Sequence, residues 1–239
     1  MSLEGKTALI TGGSKGIGLG VAEAMLAEGM SVLITGRSEE TLNNVKARLE
    51  KIYPGNIAVS AGDVRNMSDM KTAVDTALNN WGQLDAIIAN AGIGHFASIQ
   101  DMTEKQWNDV IDINLTGVFN TIKASVDALI KSKGYFISIA SLAGTNFFAR
   151  GAAYNASKFG LVGFTQAVML DLRQHGVKCS TIMPGSVATY FNDNVPDASD
   201  DWKIQPEDIG QMVVDLMKIP PRTLPSKVEV RPSMPPSKS

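Results

Sequence analysis

The sequence predicts an α/β fold, a doubly wound parallel sheet with helices on both faces. Short apolar runs rich in β-branched residues recur along the chain, and they are continuous rather than alternating, as in strands buried on both faces. Helical patterns lie between these runs, and a glycine-rich turn follows the first of them. The runs are TALIT (7–11), SVLIT (31–35), NIAVS (56–60), DAIIA (85–89), YFISIA (135–140) and CSTIM (179–183).

The helices between the runs are predicted from apolar spacing and capping signals. Apolar stripes at helical spacing are formed by Leu42, Val45 and Leu49, and by Val74, Ala77, Leu78 and Trp81. Thr103 with Gln106 has the spacing of a capping box and predicts a long helix from about 104 to 131. Another long helix is predicted from about 152 to 175, where Gly176 ends it. In such a fold, ligands bind at the carboxyl ends of the strands.

Length and composition narrow the class of protein. The chain has 239 residues and a net charge of −2, with acidic and basic residues mixed, so nothing favours nucleic acid or an anionic membrane as a partner. The single cysteine, Cys179, excludes an intramolecular disulfide and is interpreted as a small core residue. The sequence shows neither a signal peptide nor a run of about 18 apolar residues, so we expect a cytoplasmic protein.

The strand and helix patterns continue without a linker-like break. They predict one domain over residues 1–232, whereas residues 233–239 are proline-rich and expected to form a flexible tail. The sequence contains no H-E-x-x-H motif and no cluster of cysteine and histidine, so no metal site is predicted.

A glycine-rich segment, here called the phosphate loop (residues 12–18), follows the first predicted strand. Its glycines Gly12, Gly16 and Gly18 form the pattern G-x-x-x-G-x-G. Such a turn lets backbone N–H groups approach a pyrophosphate, and the N-terminus of the next helix adds a positive dipole. A plain tight turn is the alternative. The position between a strand and a helix that begins with apolar residues such as Ile17 favours dinucleotide binding.

The end of the second strand indicates which dinucleotide is bound. An NAD site usually has Asp or Glu there, which accepts from the ribose 2′-hydroxyl. This chain has Arg37 instead, and Lys15 of the phosphate loop supplies a second cation. Both can bind a 2′-phosphate, which predicts NADP(H); the alternative is that both are solvated surface charges. Ser38 can add a hydroxyl to this site or cap the helix that starts at Glu39.

The third and fourth strand ends add weaker signals. Asp63 can accept from the adenine amino group with the Val64 backbone beside it, or it is a turn aspartate. Asn90, Ala91 and Gly92 are small, so a cofactor can pass close to the backbone there.

Taken in order, these motifs resemble those of the short-chain dehydrogenase/reductase family. The shared segments are TGGSKGIG, NAG, INLTG, SIASLAG, YNASK and PGSVAT, and they span nearly the whole chain. The resemblance implies a Rossmann-type sheet of about seven strands in the order 3-2-1-4-5-6-7, with KVEVR (227–231) as the last strand. It also implies a single-domain oxidoreductase that uses a nicotinamide cofactor.

The resemblance implies a catalytic set of Asn114, Ser141, Tyr154 and Lys158. Tyr154 and Lys158 are four residues apart and share one face of a helix. A free tyrosine has a pKa of about 10, and we expect the ammonium and a positive nicotinamide ring to lower it, so that the phenol can serve as an acid near neutral pH.

In the resembled family the serine positions the substrate oxygen, and the asparagine holds a water that links the lysine to solvent. Ser138, inside the fifth strand, competes with Ser141 for the first role. For Asn114 the alternative is a helix asparagine bonded to nearby backbone.

By the same resemblance, the loop after the sixth strand contacts the nicotinamide through Val187 and Thr189, next to the strand-breaking Pro184 and Gly185. The complete set of predicted cofactor-binding residues is Gly12, Ser14, Lys15, Gly16, Ile17, Gly18, Arg37, Asp63, Val64, Asn90, Ala91, Gly92, Tyr154, Lys158, Pro184, Gly185, Val187 and Thr189.

Substrate residues are expected after the fourth, fifth and sixth strands. The candidates are His95, Phe96, Phe147 and Tyr190, with Phe148 and Phe191 as neighbours. Several aromatic residues near one mouth suggest an apolar or aromatic carbonyl compound, and core or subunit contacts are the alternative. Residues 190–205, here called the lid segment, are short and acidic and are expected to form a mobile cover.

The sequence thus predicts an NADPH-dependent oxidoreductase that reduces a ketone or aldehyde to an alcohol, with Tyr154 as the proton donor. One alternative is a reductase of 3-oxoacyl thioesters carried by acyl carrier protein, which the polar, proline-rich end of the chain puts in doubt. Another is a non-catalytic NADP(H)-binding sensor or scaffold. The resemblance implies a homo-oligomer, a dimer or a tetramer, paired through the two long helices.

Overall fold

In the computed structural model, which describes residues 2–235 apart from the side chain of Asp193, the strands follow the predicted apolar runs. They are β1 (Thr7–Thr11), β2 (Ser31–Gly36), β3 (Ile57–Ala61), β4 (Ala86–Ala89), β5 (Tyr135–Ile139), β6 (Lys178–Pro184) and β7 (Lys227–Val230). All neighbouring pairs are parallel, and the sheet order is β3-β2-β1-β4-β5-β6-β7. The predicted fold class and strand order are confirmed.

The helices occupy the intervals between the strands. They are α1 (Gly16–Ala27), α2 (Glu39–Glu50), α3 (Met67–Trp81), α4 (Glu104–Ile111), α5 (Gly117–Ser132), α6 (Ala152–Leu172) and α7 (Pro206–Lys218). The capping box predicted at Thr103 and Gln106 is present at the start of α4. The predicted helix 104–131 is interrupted by a π-helical segment, Asp112–Thr116, and the second long helix ends in a 3₁₀ turn before Gly176.

Two apolar layers bury the sheet on both faces, which explains why the strand sequences are continuously apolar. Side chains such as Ile10 and Ile34 face α1 and α7, and they belong to one buried cluster with Val21 and Val213. Alternate side chains such as Leu9 belong to a second cluster under α3, α5 and α6. Because both faces are packed, open space for a ligand remains at the carboxyl ends of the strands.

The C-terminal end of the lid segment is hydrogen-bonded to the residues that precede the segment. Val187 and Ile204 form an isolated parallel bridge, and Ala188 N donates to Ile204 O at 2.9 Å. Helix α7 then begins at Pro206 and packs tightly on α1, since a Cβ added at Gly210 would lie 2.5 Å from Gly20 O. The segment is therefore a loop whose two ends are joined to each other and to the core.

Four further expectations concern membrane-spanning helices, metal sites, Cys179 and the C-terminal tail. Within residues 2–235, no helix is long and apolar enough to cross a membrane. No group of metal-ligating side chains occurs in this described part of the chain. Cys179 is buried in β6, and burial raises the pKa of its thiol to about 12, as suits an inert core residue. Residues 236–239 of the predicted tail lie outside the described residues.

Candidate active site

A single cleft of about 1270 Å³ opens along the carboxyl ends of β1 to β6. All the predicted cofactor-binding residues line it except Gly18, and the lining includes Ser141, His95 and Tyr190. Asn114, Phe96 and Phe147 are not part of the cleft wall. The sheet thus brings residues that are distant in sequence to one surface, as expected for a topological switch point.

The phosphate loop is shaped to receive an anion against its backbone. Helix α1 starts at Gly16, and no side chain caps its first N–H groups, because the N-cap residue Lys15 makes no capping hydrogen bond. Gly12 has a φ of 65°, and a Cβ added at Gly18 would lie 2.3 Å from Gly12 O. Any side chain there would disrupt the cradle, so the loop fits the pyrophosphate of a dinucleotide.

The loop after β4 is fixed to the phosphate loop by a threonine that the sequence analysis did not single out. Thr11 Oγ1 accepts from Asn90 N and from Ala91 N, each at 3.1 Å. The Asn90 side chain donates to Thr11 O at 3.0 Å and to Gly12 O at 3.1 Å. A hydroxyl at the last position of a buried strand was the available signal for this positioning role.

The two predicted phosphate-binding cations border the same end of the cleft. Arg37 follows β2 and is exposed, and Lys15 Nζ lies 5.6 Å from the centroid of the Tyr190 ring. Among residues 2–235, neither cation forms an ion pair with a carboxylate. Ser38 Oγ accepts from Thr41 N at 3.2 Å, so this serine acts as the cap of α2.

Asp63 lines the cleft, but its carboxylate is already bound within its own turn. Arg65 donates to both carboxylate oxygens, with the shortest contact at 2.6 Å from Nη2 to Oδ2. Hydrogen bonding to Arg65 lowers the pKa of Asp63, although partial burial opposes this. These contacts fit the turn interpretation, and recognition of adenine by Asp63 stays a prediction. Asn120 of α5 positions the turn by donating to Val64 O at 2.9 Å.

Ser141, Tyr154 and Lys158 meet at the opposite end of the cleft. Ser141 follows β5 in an extended conformation, and its Oγ accepts from Ala143 N at 3.1 Å. Tyr154 lies in the first turn of α6, and Lys158 Nζ is 5.7 Å from its ring centroid. Lys158 Nζ also donates to Ile139 O at 3.0 Å, which connects the helix to the end of β5. This is the arrangement expected from the helical spacing of the pair.

Ser138, the competing serine, lies behind this surface. Its Oγ is buried in β5 and is 2.9 Å from Thr165 Oγ1 of α6. It does not line the cleft, so its position suits a packing role rather than contact with a substrate.

Burial dominates the electrostatics of Tyr154 and Lys158. It lowers the pKa of the Lys158 ammonium to about 8. Burial also raises the pKa of the Tyr154 phenol. Hydrogen bonding with the nearby Ser141 hydroxyl partly offsets this rise, although the Ser141 oxygen also accepts from Ala143 N. The protein groups alone therefore do not produce the predicted low phenol pKa, because desolvation disfavours phenolate and ammonium alike.

Asn114 lies in the π-helical segment, and its side chain is fully engaged. Its Oδ1 accepts from Ile93 N and its Nδ2 donates to Ile93 O, each at 2.9 Å. The Nδ2 also donates to Ser157 Oγ at 3.1 Å. These bonds match the alternative of an asparagine bonded to backbone, and they tie the loop after β4 to α6. The family role of holding a water stays a prediction.

Asn155 is a positioning residue that the sequence analysis missed. Its Nδ2 donates to Ala143 O and to Asn146 O, each at 2.8 Å, and so holds the turn that follows Ser141. Its signal was the same as that of Asn114, since asparagine is unfavourable inside a helix.

Four rings form the aromatic cluster at the mouth of the cleft: Phe96, Phe148, Tyr154 and Phe191. The centroid of Phe96 is 5.4 Å from that of Tyr154 and 5.9 Å from that of Phe148. Phe147 is 87% exposed and points away, so the structure favours Phe148 over the predicted Phe147. Tyr190 lies beside Lys15 rather than in the cluster.

Comparison with known proteins is consistent with this geometry. A family model described as short chain dehydrogenase matches residues 6–200. A 3-oxoacyl-[acyl-carrier-protein] reductase of Salmonella typhimurium is 35% identical, covering 79% of this chain and 76% of the relative. A D-beta-hydroxybutyrate dehydrogenase of Cupriavidus necator is also 35% identical, covering 78% of this chain and 72% of the relative.

Two solved structures share the fold over nearly the full chain. An alcohol dehydrogenase from the archaeon Thermococcus sibiricus, complexed with 5-hydroxy-NADP, has a TM-score of 0.91 and 25% identity, covering 98% of this chain and 99% of that one. A metagenomic short-chain oxidoreductase in complex with NADP has a TM-score of 0.85 and 32% identity, covering 98% of this chain and 100% of that one.

Proposed function

The chain belongs to the short-chain dehydrogenase/reductase family, and from this premise we propose that it is an NADPH-dependent reductase that converts a ketone or aldehyde to an alcohol. The observation that carries the proposal is the meeting of Ser141, Tyr154 and Lys158 on one wall of the cleft, opposite a phosphate loop flanked by two cations. A site that only bound a dinucleotide would not need a phenol, a hydroxyl and a buried ammonium at its far end.

The cofactor assignment rests on charge. Arg37 and Lys15 border the cleft without a carboxylate partner in the described residues, so they are the groups that would hold a 2′-phosphate. The N-terminus of α1 and the phosphate loop would hold the pyrophosphate. The NADP and 5-hydroxy-NADP present in the two similar solved structures support the same choice.

The protein residues supply the acid–base part of the reaction. When bound, the cofactor supplies the hydride that reaches the carbonyl carbon of the substrate. The Ser141 hydroxyl holds the substrate oxygen, and the Tyr154 hydroxyl donates a proton to it. Since burial lowers the pKa of Lys158 only to about 8, this amine is mostly protonated near neutral pH. A positive charge then lies beside the phenolate that forms when Tyr154 gives up its proton.

A second candidate is reduction of 3-oxoacyl thioesters. The Salmonella typhimurium relative named for that reaction is as similar to this chain as the relative named for hydroxybutyrate. Both substrates contain a carbonyl or alcohol at the reacting carbon, so the catalytic residues proposed here serve either one.

The proposal also covers the domain bounds, the cellular location and the oligomeric state of the protein. We place the catalytic domain over residues 1–232, in the cytoplasm, and in a homo-oligomer paired through the long helices. An apolar groove supports that pairing, because the exposed Phe119 of α5 and the half-buried Leu115 and Phe164 line it. Light scattering of the intact chain measures its mass, and a monomer at micromolar concentration would contradict the pairing.

The test of the proposed function is the variant Tyr154→Phe. We expect NADPH oxidation with a carbonyl substrate to fall by about a thousand-fold, because the proton donor is lost while the ring remains. NADPH binding, followed by the fluorescence of the cofactor, should be retained.

The matched control for this test is Tyr53→Phe, since Tyr53 packs on the core away from the cleft. It should keep full activity. Turnover by Tyr154→Phe at the wild-type rate would show that another group donates the proton. If the wild type binds NADPH but reduces none of a panel of ketones, aldehydes and thioesters, the protein is a non-catalytic binder.

A further inference from the structure

Resting on the proposed function, we infer that the substrate is an uncharged aromatic carbonyl compound, held beside Tyr154 by the ring of Phe191, which Phe96 supports from outside the cleft wall. The inference names the substrate class of the reductase and two residues that determine it. It follows from the placement of the aromatic cluster, from the backbone at Gly94 and from the charges around this end of the cleft.

The reacting phenol is itself a member of the aromatic cluster. The centroid of the Tyr154 ring is 5.4 Å from that of Phe96 and 5.7 Å from that of Phe191, and the latter two are 6.5 Å apart. Of the two phenylalanines, Phe191 lines the cleft, so its ring is the aromatic neighbour of a substrate whose oxygen reaches the Tyr154 hydroxyl. Offset and edge-to-face contacts between aromatic rings favour a flat aromatic group there over a saturated one.

The positions of the two phenylalanines are set by separate parts of the fold. Phe96 is adjacent to Ala97, which forms a parallel bridge with Gly151 just before α6, so its ring is fixed beside Tyr154. Phe191 belongs to the lid segment, and its N–H donates to Thr189 Oγ1 at 3.3 Å. One ring is thus carried by the core and the other by the lid segment, and the two are in edge contact with their centroids 6.5 Å apart.

Gly94 makes this arrangement possible because it has no side chain. A Cβ added at Gly94 would lie 2.8 Å from the Cζ atom of Phe191 and 2.8 Å from the Cζ atom of Phe96. The ends of both rings therefore meet over bare backbone, next to the cleft wall that Gly94 helps to form. Alanine at this position would push the rings apart, which makes Gly94 a determinant of the shape of the pocket.

The charges near Tyr154 argue for an uncharged substrate. Lys158 donates to the carbonyl of Ile139, and Lys203 is paired with Asp200 at 2.5 Å. Of the described cations that line the cleft, the unpaired Arg37 and Lys15 lie at the phosphate-binding end. A carboxylate group on the substrate would lose its water among the rings of the aromatic cluster, and the nearest ammonium, that of Lys158, is already bonded to Ile139 O, so its binding there is unfavourable.

The test compares two ketones of similar size that differ in aromaticity, acetophenone and cyclohexyl methyl ketone, with acetoacetate as the charged probe. The measurement is kcat/KM with NADPH for the wild type and for Phe96→Leu and Phe191→Leu. We expect the wild type to prefer acetophenone, and each substitution to lower the ratio of the two ketones by roughly five-fold, since each ring contact is lost. We expect acetoacetate to be a poor substrate.

The matched control is Phe159→Leu, because Phe159 is exposed on α6 and lies outside both the cleft wall and the aromatic cluster. It should leave the ratio unchanged. Gly94→Ala should raise the KM for acetophenone more than that for cyclohexyl methyl ketone. A ratio that none of the variants changes, or efficient reduction of acetoacetate, would overturn the inference while leaving the reductase assignment intact.

A binding measurement separates failure of the inference from failure of the proposed function. Calorimetry of Tyr154→Phe with NADPH present measures ketone affinity without turnover, and we expect tighter binding of acetophenone. If acetophenone binds in this way but the wild type oxidises no NADPH with any carbonyl compound, the proposed function fails and the aromatic pocket stands. If neither ketone binds or is reduced, the substrate inference is wrong.

Discussion

The dinucleotide end of the cleft is shaped by backbone, whereas the reacting end is shaped by side chains from distant segments. The phosphate loop depends on the absence of Cβ atoms and on uncapped N–H groups of α1. At the other end, a buried lysine, a phenol and three further rings come from α6, the loops after β4 and β5, and the lid segment. A backbone-built site is encoded in one short local motif, and a side-chain-built site requires the whole fold.

The largest expected effect on stability comes from the buried charge of Lys158, at the Tyr154 end of the cleft. The folded-state pKa of Lys158, about 8, lies below its ordinary value of 10.5. Between these pH values the unfolded chain binds more protons, so stability rises with pH there, and the cost is fully present below pH 8. We expect Lys158→Met to relieve a cost on the order of 3 kcal/mol at pH 7, which falls as the pH rises above 8 and is lost above about pH 10.5.

Urea unfolding of both proteins at pH 7 and pH 9.5 measures this effect. Burial raises the pKa of Tyr154, so the phenol keeps its proton across that range and does not contribute. Lys158→Met also loses the hydrogen bond to Ile139 O, and this loss changes the free energy of unfolding by the same amount at both pH values. A stability difference between the proteins that does not change with pH would show that Lys158 carries no desolvation cost.

At the dinucleotide end, the corresponding change adds a single methyl group. Gly18→Ala places a Cβ 2.3 Å from Gly12 O, a backbone atom that cannot move aside cheaply. We expect NADPH affinity to fall by roughly 10- to 100-fold, in line with the strain of overpacking. Gly163→Ala is the control, because nothing lies within 4 Å of its added Cβ in α6, and it should keep full affinity. Titration of cofactor fluorescence measures both.

A smaller effect is expected from removing one cation. Arg37→Ser should weaken NADPH binding by about 10-fold or more, because charge-assisted hydrogen bonds to the 2′-phosphate are lost. Binding of NADH should change little. Arg222→Ser, an exposed arginine outside the cleft, is the control. Equal affinities of the wild type for the two cofactors would contradict the assignment of NADP(H).

The smallest effect separates capping from cofactor binding. Ser38→Ala removes the acceptor of the Thr41 N–H at the start of α2 and should cost about 1 kcal/mol of stability. We expect the ratio of NADPH to NADH affinity to remain unchanged. A selective loss of NADPH affinity would place the Ser38 hydroxyl on the 2′-phosphate.

The same contrast explains what could be predicted from the sequence. The strands, the phosphate loop and the α6 pair follow from local pattern, and the structure places each where it was expected. The π-helical segment at Asn114 was not predictable, because the apolar spacing runs through it without a break. The pKa of Tyr154 depends on how deeply the folded chain buries it, and spacing along a helix does not determine that depth.

The choice between neighbouring phenylalanines also required the structure. Phe147 and Phe148 are adjacent in a loop without periodicity, so the path of the backbone decides which ring contacts Phe96 in the aromatic cluster. That path includes Arg150, whose φ of 67° lies in the left-handed region that glycine favours. No sequence rule indicates such a conformation at an arginine, and contact between Phe147 and a substrate stays a prediction.

Because Val187 and Ile204 pair with each other, the lid segment between them forms a closed loop whose length can change. Its ends are joined outside the sheet, so residues can be added between them without altering any strand pairing. Doubling the length of such a loop costs only about 0.6 kcal/mol in closure entropy. The segment that carries Tyr190 and Phe191 can therefore change in length while Ser141, after β5, and the pair Tyr154 and Lys158, on α6, keep their positions.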